Sequence, residues 1–84
     1  ALLQNYPNPF NPSTTMRYDL PEQSHVALKI YDLLGREVGI LVDEVEGAGS
    51  KSVQFDASRL ASGVYFYRLS AAAFVQTKKL ILVR

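Results

Sequence analysis

The strongest constraint in this sequence is an alternation of apolar and other residues that recurs in short runs and nowhere continues at helical spacing. Residues 16–20 (Met-Arg-Tyr-Asp-Leu) and 26–30 (Val-Ala-Leu-Lys-Ile) place a large apolar side chain at every second position. That period belongs to half-buried β-strands, whose successive side chains point to opposite faces. Because glycines and prolines separate the runs, the chain is predicted to be all-β.

Further strands are predicted where the alternation returns, at residues 38–42, 53–55, 65–69 and 74–83. With an opening strand at residues 2–6, the count reaches about seven antiparallel strands, typical of an immunoglobulin-like or fibronectin-like β-sandwich.

Two connections are predicted from composition. Gly35 lies where the hairpin at residues 32–36 needs a positive φ. The acidic and glycine-containing stretch 43–50 is predicted to be a solvated loop.

One local feature sharpens the fold class. In immunoglobulin-like domains a corner tyrosine lies two residues before an inward position that antibody domains fill with cysteine. Gly63 precedes the candidate corner residue Tyr65, and Tyr67 falls at the inward position. The residues leave open whether Tyr65 is a true corner or an ordinary core aromatic, and both interpretations are structural.

Size and charge exclude several classes of protein. The 84 residues, with no cysteine, are predicted to form one domain spanning residues 1–84. A net charge of +1 is far from the basic stripe of a nucleic-acid binder, and no apolar run approaches the roughly 20 residues of a membrane span. Since the chain begins at Ala1 without an initiator methionine or signal peptide, we expect a fragment of a longer precursor.

Candidate chemistry is sparse. His25, the only histidine, falls in a predicted polar turn without a nucleophile elbow, so no catalytic residue is predicted. One histidine and no cysteine cannot supply a usual zinc site. Asp43, Glu44 and Glu46 could in principle hold calcium, but a solvated acidic stretch is the better explanation. No metal or cofactor is therefore predicted.

Two surface features have competing interpretations. Lys78 and Lys79 are expected on opposite faces of a strand, so they form no basic patch and protect an edge strand from pairing. Exposed Tyr31 or Phe66 could stack on a sugar ring, although a sandwich normally shows some outward aromatics.

The proline-rich segment 6–14 is the most unusual stretch of the sequence. Its three prolines fix their own φ and restrict the preceding residues, so the segment is stiff and cannot be a central strand. Asn8 and Asn11 are expected to form Asx-turns, and Phe10 is the apolar side chain available to anchor the segment. The physics leaves open whether it is a rigid lead-in or a recognition surface.

Four stretches in the correct order resemble the type A C-terminal sorting domain of the type IX secretion system. They are Leu3-Gln4-Asn5-Tyr6-Pro7-Asn8-Pro9-Phe10-Asn11-Pro12-Ser13-Thr14, Tyr31-Asp32-Leu33-Leu34-Gly35-Arg36-Glu37-Val38, Leu60-Ala61-Ser62-Gly63-Val64-Tyr65 and Lys78-Lys79-Leu80-Ile81-Leu82-Val83-Arg84. The chain is also similar to the immunoglobulin-like domain of flagellar hook-capping proteins.

The resemblance implies a non-catalytic signal that directs an upstream passenger through the periplasm and an outer-membrane translocon to the cell surface or medium. It also implies a sortase-like peptidase that cuts before the domain. The motif residues that it marks are Pro7, Asn8, Pro9, Gly35, Gly63, Tyr65, Lys79, Leu80, Ile81, Leu82, Val83 and Arg84. The last six are expected to form a terminal strand read by a receptor through strand addition or edge recognition.

Two positions depart from the family pattern. Ala71-Ala72-Ala73 stands where the last hairpin commonly carries Gly, Asn or Asp, and Gly39 lies within a predicted strand. The alternative function is a structural or carbohydrate-contacting accessory module of a secreted hydrolase.

Overall fold

A computed structural model of the chain describes all 84 residues and contains six β-strands and no helix. The two-stranded sheet has the order β1-β4, and the four-stranded sheet has the order β3-β2-β5-β6. Every pair of neighbouring strands is antiparallel. The strands are β1 (Ser13–Leu20), β2 (Ser24–Tyr31), β3 (Glu37–Glu46), β4 (Gly49–Asp56), β5 (Gly63–Ala71) and β6 (Phe74–Leu82). The predicted all-β sandwich is confirmed.

The core forms because alternate side chains of both sheets point at one another, as the period of two predicts. The inward positions are fully buried in the centres of β1, β2 and β5 and near the end of β6. They are Met16, Tyr18, Val26, Leu28, Ile30, Tyr67, Leu69, Leu80 and Leu82. Every strand except β3 contributes a buried residue to the core cluster, so β3 is the least buried strand.

The predicted opening strand at residues 2–6 is not continuous, and the structure has six strands rather than seven. Only two isolated bridges connect this stretch to β1, Leu2 to Tyr18 and Tyr6 to Thr15. The stretch advances four residues while β1 advances three, so one residue is extra and the ladder breaks as in a β-bulge. The Tyr67 hydroxyl fills the break.

The predicted loop at residues 43–50 is also wrong. β3 continues to Glu46 and β4 begins at Gly49, so only residues 47–48 connect them, and this connection passes from one sheet to the other. The acidic side chains of Asp43 and Glu44 do not prevent strand formation, because β3 is an edge strand whose side chains stay exposed while its backbone pairs with β2.

The backbone conformation differs among the three positions Gly35, Gly39 and Ala72. Gly35 has a φ of +81°, as the hairpin prediction requires. Gly39 has no positive φ, and a Cβ there would lie 3.7 Å from Cγ1 of Ile30, an ordinary contact distance. Ala72 in the β5–β6 turn has a φ of +54° and is the only such residue that is not glycine.

Candidate functional site

The first and last motif groups of the sequence lie together in the structure. We call residues 1–12 the entry segment, which runs beside β1 and then reaches the outer edge of β6. The Phe10 amide donates to the Ile81 carbonyl, and the Val83 amide donates to the Phe10 carbonyl, both at 3.0 Å. The Gln4 side chain donates to the carbonyl of Lys79 at 2.9 Å. The edge of β6 is therefore covered from Lys79 to Val83.

Asn8 takes part in this edge by a contact that the sequence did not predict. Its side-chain oxygen accepts a hydrogen bond from the Ile81 amide at 2.9 Å, across 73 residues of sequence, in place of the expected local Asx-turn. Phe10 is buried, as predicted, and its ring centroid lies 6.1 Å from that of Phe55. Pro7 and Pro9 flank Asn8 in the chain, and their fixed φ angles restrict its backbone.

A buried polar pair holds the entry segment against β1, and sequence reasoning missed it. Asn5 and Thr14 are both 2% exposed. The side-chain amide of Asn5 donates to the Thr14 hydroxyl at 3.0 Å. The Asn5 and Thr14 side chains also both donate to the carbonyl of Pro7, at 3.2 and 2.8 Å. The only sequence feature that indicates burial of Thr14 is its position, because it precedes Met16 by two residues and so continues the inward-facing positions of β1.

The hydroxyl of Tyr67 joins the opposite sheet to the entry segment. It accepts a hydrogen bond from the backbone N–H of Asn5 and donates one to the backbone carbonyl of Leu3, both at 2.8 Å. Burial raises the pKa of Tyr67 above its usual range, although the Asn5 hydrogen bond acts in the opposite direction. This position, predicted to be inward, is thus both a core residue and a clamp on the segment.

The predicted signal strand is divided between the core and the surface. Leu80 and Leu82 are at most 1% exposed, whereas Val83 is 48% exposed and Lys79 is exposed as well. The guanidinium of Arg84 donates to two carbonyls of the β4–β5 connection, at residues 57 and 58. A partner that meets the folded domain can therefore touch only part of residues 79–84.

The corner tyrosine is confirmed. The Tyr65 hydroxyl donates to the carbonyl of Ala61 at 2.7 Å, the backward hydrogen bond that defines this motif. Gly63 opens β5 with a φ of +153°, a conformation that side chains disfavour. These motif residues shape the connection into β5.

The hairpin around Gly35 is organised by one carboxylate. Asp32 accepts from the amides of Leu34 and Arg36 at 2.9 Å and from the Arg36 guanidinium at 2.7 Å. The hydrogen bond from the Arg36 backbone is the main cause that lowers the pKa of Asp32. The tip of this turn is apolar, with Leu33 68% and Leu34 77% exposed.

The titratable residues considered as catalytic or metal-binding candidates do not come together in one site. His25 is the second residue of β2 rather than part of a turn, and its exposed ring nitrogen lies 2.7 Å from Asp43. Glu46 accepts from the Tyr18 hydroxyl at 2.5 Å, and burial together with Glu46 raises the pKa of that hydroxyl. No three His, Cys, Asp or Glu side chains are placed to share a metal ion.

The outer face of the four-stranded sheet carries the aromatic candidates. The guanidinium of Arg68 lies 4.7 Å from the ring centroid of Tyr31 and donates to its hydroxyl at 2.6 Å. The ring face that Arg68 covers is not free to stack on a sugar. Lys78 pairs with inward Tyr67 and Lys79 with outward Phe66, so the two lysines lie on opposite faces, as predicted.

Two packed antiparallel sheets with a tyrosine corner define a small immunoglobulin-like β-sandwich. Residues 4–83 match the family model of the secretion system C-terminal sorting domain. The chain belongs to this family and is a C-terminal sorting signal of the type IX secretion system. It is thus part of a secreted or cell-surface protein.

A solved structure supports the fold. The chain is similar to PorZ, an essential bacterial surface component of the type-IX secretion system of the human oral bacterium Porphyromonas gingivalis, with a TM-score of 0.69 and 22% identity. The match covers 100% of this chain and 12% of the PorZ chain. The search of curated proteins found no match. No helix long and apolar enough to cross a membrane occurs in the structure.

Proposed function

We propose that the domain is a non-catalytic sorting signal, located on the C-terminal side of a passenger protein in a longer precursor. The passenger crosses the periplasm, is recognised at the outer-membrane translocon through this domain, and is freed by a sortase-like peptidase that cuts upstream of it. The observation that carries the proposal is the family match, because it extends over residues 4–83 and so includes nearly the whole fold.

The geometry supports a signal that is read as a folded unit. The entry motif at residues 7–9 lies against the terminal strand through the Asn8–Ile81 hydrogen bond. Removal of residues 79–84 would withdraw Leu80 and Leu82 from the core and leave the entry segment without its partner edge. A deletion of the terminal residues therefore tests stability and recognition together.

The edge available for strand addition is the first half of β6. Ile81 turns its N–H and C=O outward to the entry segment, and backbone groups alternate in direction along a strand. The same groups of Val75 and Thr77 therefore also point outward, and no hydrogen bond to the entry segment occupies them. An extended partner segment can add there by β-strand pairing.

The test is export of a periplasmically targeted fluorescent reporter that carries residues 1–84 at its C-terminus, in a bacterium with type IX secretion. We expect the intact fusion on the surface or in the medium. Leu80→Ala should be retained and unfolded, because loss of a buried leucine costs about 2–5 kcal/mol. Thr77→Pro should remain folded, because its N–H points outward, but should be exported less.

Two controls make the result specific. Gln23→Pro lies in the exposed β1–β2 connection and introduces a proline away from β6, so its export should equal that of the intact fusion. A strain without the translocon should retain every fusion. Periplasmic retention of the folded intact fusion in the competent strain would contradict the sorting function, and normal export of folded Thr77→Pro would contradict recognition at the β6 edge.

A further inference from the structure

The most exposed leucines of the domain lie at the tip of a tightly bonded turn. Leu33 and Leu34 are 68% and 77% exposed. The turn that carries them is held by three hydrogen bonds to the Asp32 side chain and by two backbone hydrogen bonds between Asp32 and residues 35–36. The leucines are therefore presented in one geometry, and a partner that buries them need not order the turn.

Hollows flank the tip. One cavity of about 360 Å³ lies between Leu33 and the outer face of the sheet, where Phe66 and Thr77 line it. A second cavity, of about 200 Å³, lies between Leu33, Leu34 and the start of β5 at Val64. A protruding leucine between two depressions gives this surface a shape into which side chains of another protein can pack closely.

Asp32 and Glu37 near this surface are paired with Arg36 and Lys29, so its charges without an ion-pair partner are positive. Lys79 is the cross-strand neighbour of Phe66, and Arg68 lies two residues along the same face. The three ion pairs of the domain involve His25, Lys29 and Arg36, so neither Arg68 nor Lys79 has a carboxylate partner. Arg68 is held in place by Tyr31.

We infer that the surface formed by Leu33, Leu34, Phe66, Arg68 and Lys79, the docking face, binds a protein segment in which apolar side chains alternate with carboxylates. The leucines and Phe66 take the apolar side chains, and the two free cations take the carboxylates. The inference rests on the proposed sorting function, since it names a second surface, besides the β6 edge, by which a secretion partner contacts the folded domain.

A protein segment fits better than an anionic lipid surface. The free cations lie on the sheet beside Phe66 rather than at the leucine tip, and the guanidinium of Arg68 is fixed against Tyr31. A fixed planar guanidinium suits a carboxylate at a defined position. Membrane attachment through exposed leucines would instead require basic groups spread around the tip.

The chemistry can be tested without secretion. A short synthetic peptide of alternating leucine and glutamate is titrated into the isotopically labelled domain, and a peptide of alternating leucine and lysine serves as the control. We expect the first peptide to shift the amide signals of Leu33, Leu34, Phe66 and Arg68 and the second to shift them at least tenfold less at the same concentration. Equal shifts from both peptides, or shifts confined to other residues, would overturn the inference.

The biological role is tested in the reporter assay by Leu33→Ser/Leu34→Ser. The matched control is Ile40→Ser/Val45→Ser, because Ile40 and Val45 are also exposed, at 53% and 61%, and lie in β3, at the opposite edge of the sheet from Lys79. We expect export to fall at least about tenfold for the first variant, since each leucine that loses its burial costs more than one tenfold step in affinity. The control should be exported normally, and thermal unfolding should show both variants folded.

The outcomes separate the two proposals. Retention of the intact fusion contradicts sorting, while the peptide titration still decides the docking face. Export of the intact fusion together with normal export of folded Leu33→Ser/Leu34→Ser contradicts the docking face alone. If phosphatidylglycerol vesicles bind the domain and this binding disappears in the same variant, the occupant is lipid and the inference is wrong.

Discussion

At the scale of single residues, Ala72 is the position where sequence and backbone disagree most. It occupies the β5–β6 turn with a φ of +54°. In the left-handed conformation Cβ of an L-residue approaches the following carbonyl oxygen, at a cost of roughly 1–2 kcal/mol. Glycine lacks this contact and adopts the left-handed conformation without this cost.

Ala72→Gly should stabilise the domain. Relief of the left-handed strain exceeds the extra entropy that glycine gives the unfolded chain, so we expect the free energy of unfolding in urea to rise by about 0.5–1 kcal/mol. The neighbouring Ala73 has no positive φ, and Ala73→Gly should lower it by a similar amount. A lower stability for Ala72→Gly than for Ala73→Gly would show that the turn does not hold this conformation.

At the scale of elements, the entry segment behaves as a strap that joins both sheets. It pairs with β1 at Tyr6 and with β6 at Phe10, and the hydroxyl of Tyr67 holds it between these points. Each contact is weak alone, but together they hold the segment over the second half of the β6 edge, from Lys79 to Val83, which would otherwise be exposed.

Tyr67→Phe should loosen this strap without removing core packing. The Asn5 amide and Leu3 carbonyl would lose a partner at a buried site, so we expect a loss of about 1–3 kcal/mol in stability. Hydrogen exchange should rise most at the amides of Leu3, Asn5 and Tyr6. Tyr65→Phe, which loses the corner hydrogen bond, is the matched control. Equal exchange in the segment for both variants would contradict the clamp.

The elements that could be predicted from the sequence are those with a local cause. The alternation at residues 16–20 and 26–30 predicted β1 and β2, because a strand with one buried face must repeat every second residue. Gly35 predicted its turn for the same kind of reason, since only a short list of residues adopts that φ.

What could not be predicted depends on distant partners. The contacts of Asn8 with β6 and of Asn5 with Thr14 join residues whose proximity only the folded chain creates. The acidic end of β3 was predicted to be a loop, because composition cannot show that an edge strand pairs on one side only. The exposed Leu33–Leu34 tip has a sequence signal, two leucines inside a turn, but a turn motif alone does not show that both side chains point to solvent.

At the scale of the whole molecule, two phenol groups tie separate layers together. Tyr18 in the two-stranded sheet donates to Glu46 at the end of β3, and Tyr67 in the four-stranded sheet holds the entry segment. Both hydroxyls have a raised pKa, with burial as the main cause in each. The native state therefore keeps these protons at a pH where the unfolded state, whose tyrosines titrate near pH 10, has begun to lose them.

Stability should consequently fall on the alkaline side. A group whose pKa is higher in the native state contributes its full stabilisation below the unfolded pKa, and this contribution declines as pH rises from about 10 towards the native value. We expect the free energy of unfolding, measured in urea from pH 8 to 11, to stay level at first and then to fall by up to about 1.4 kcal/mol per pH unit for each tyrosine. Tyr18→Phe should flatten the decline, whereas Tyr6→Phe, at an exposed ring, should reproduce the wild-type curve. Identical curves for all three proteins would mean that ionisation of the Tyr18 hydroxyl does not contribute to the pH dependence of the free energy of unfolding. The alkaline loss of stability would then come from other groups.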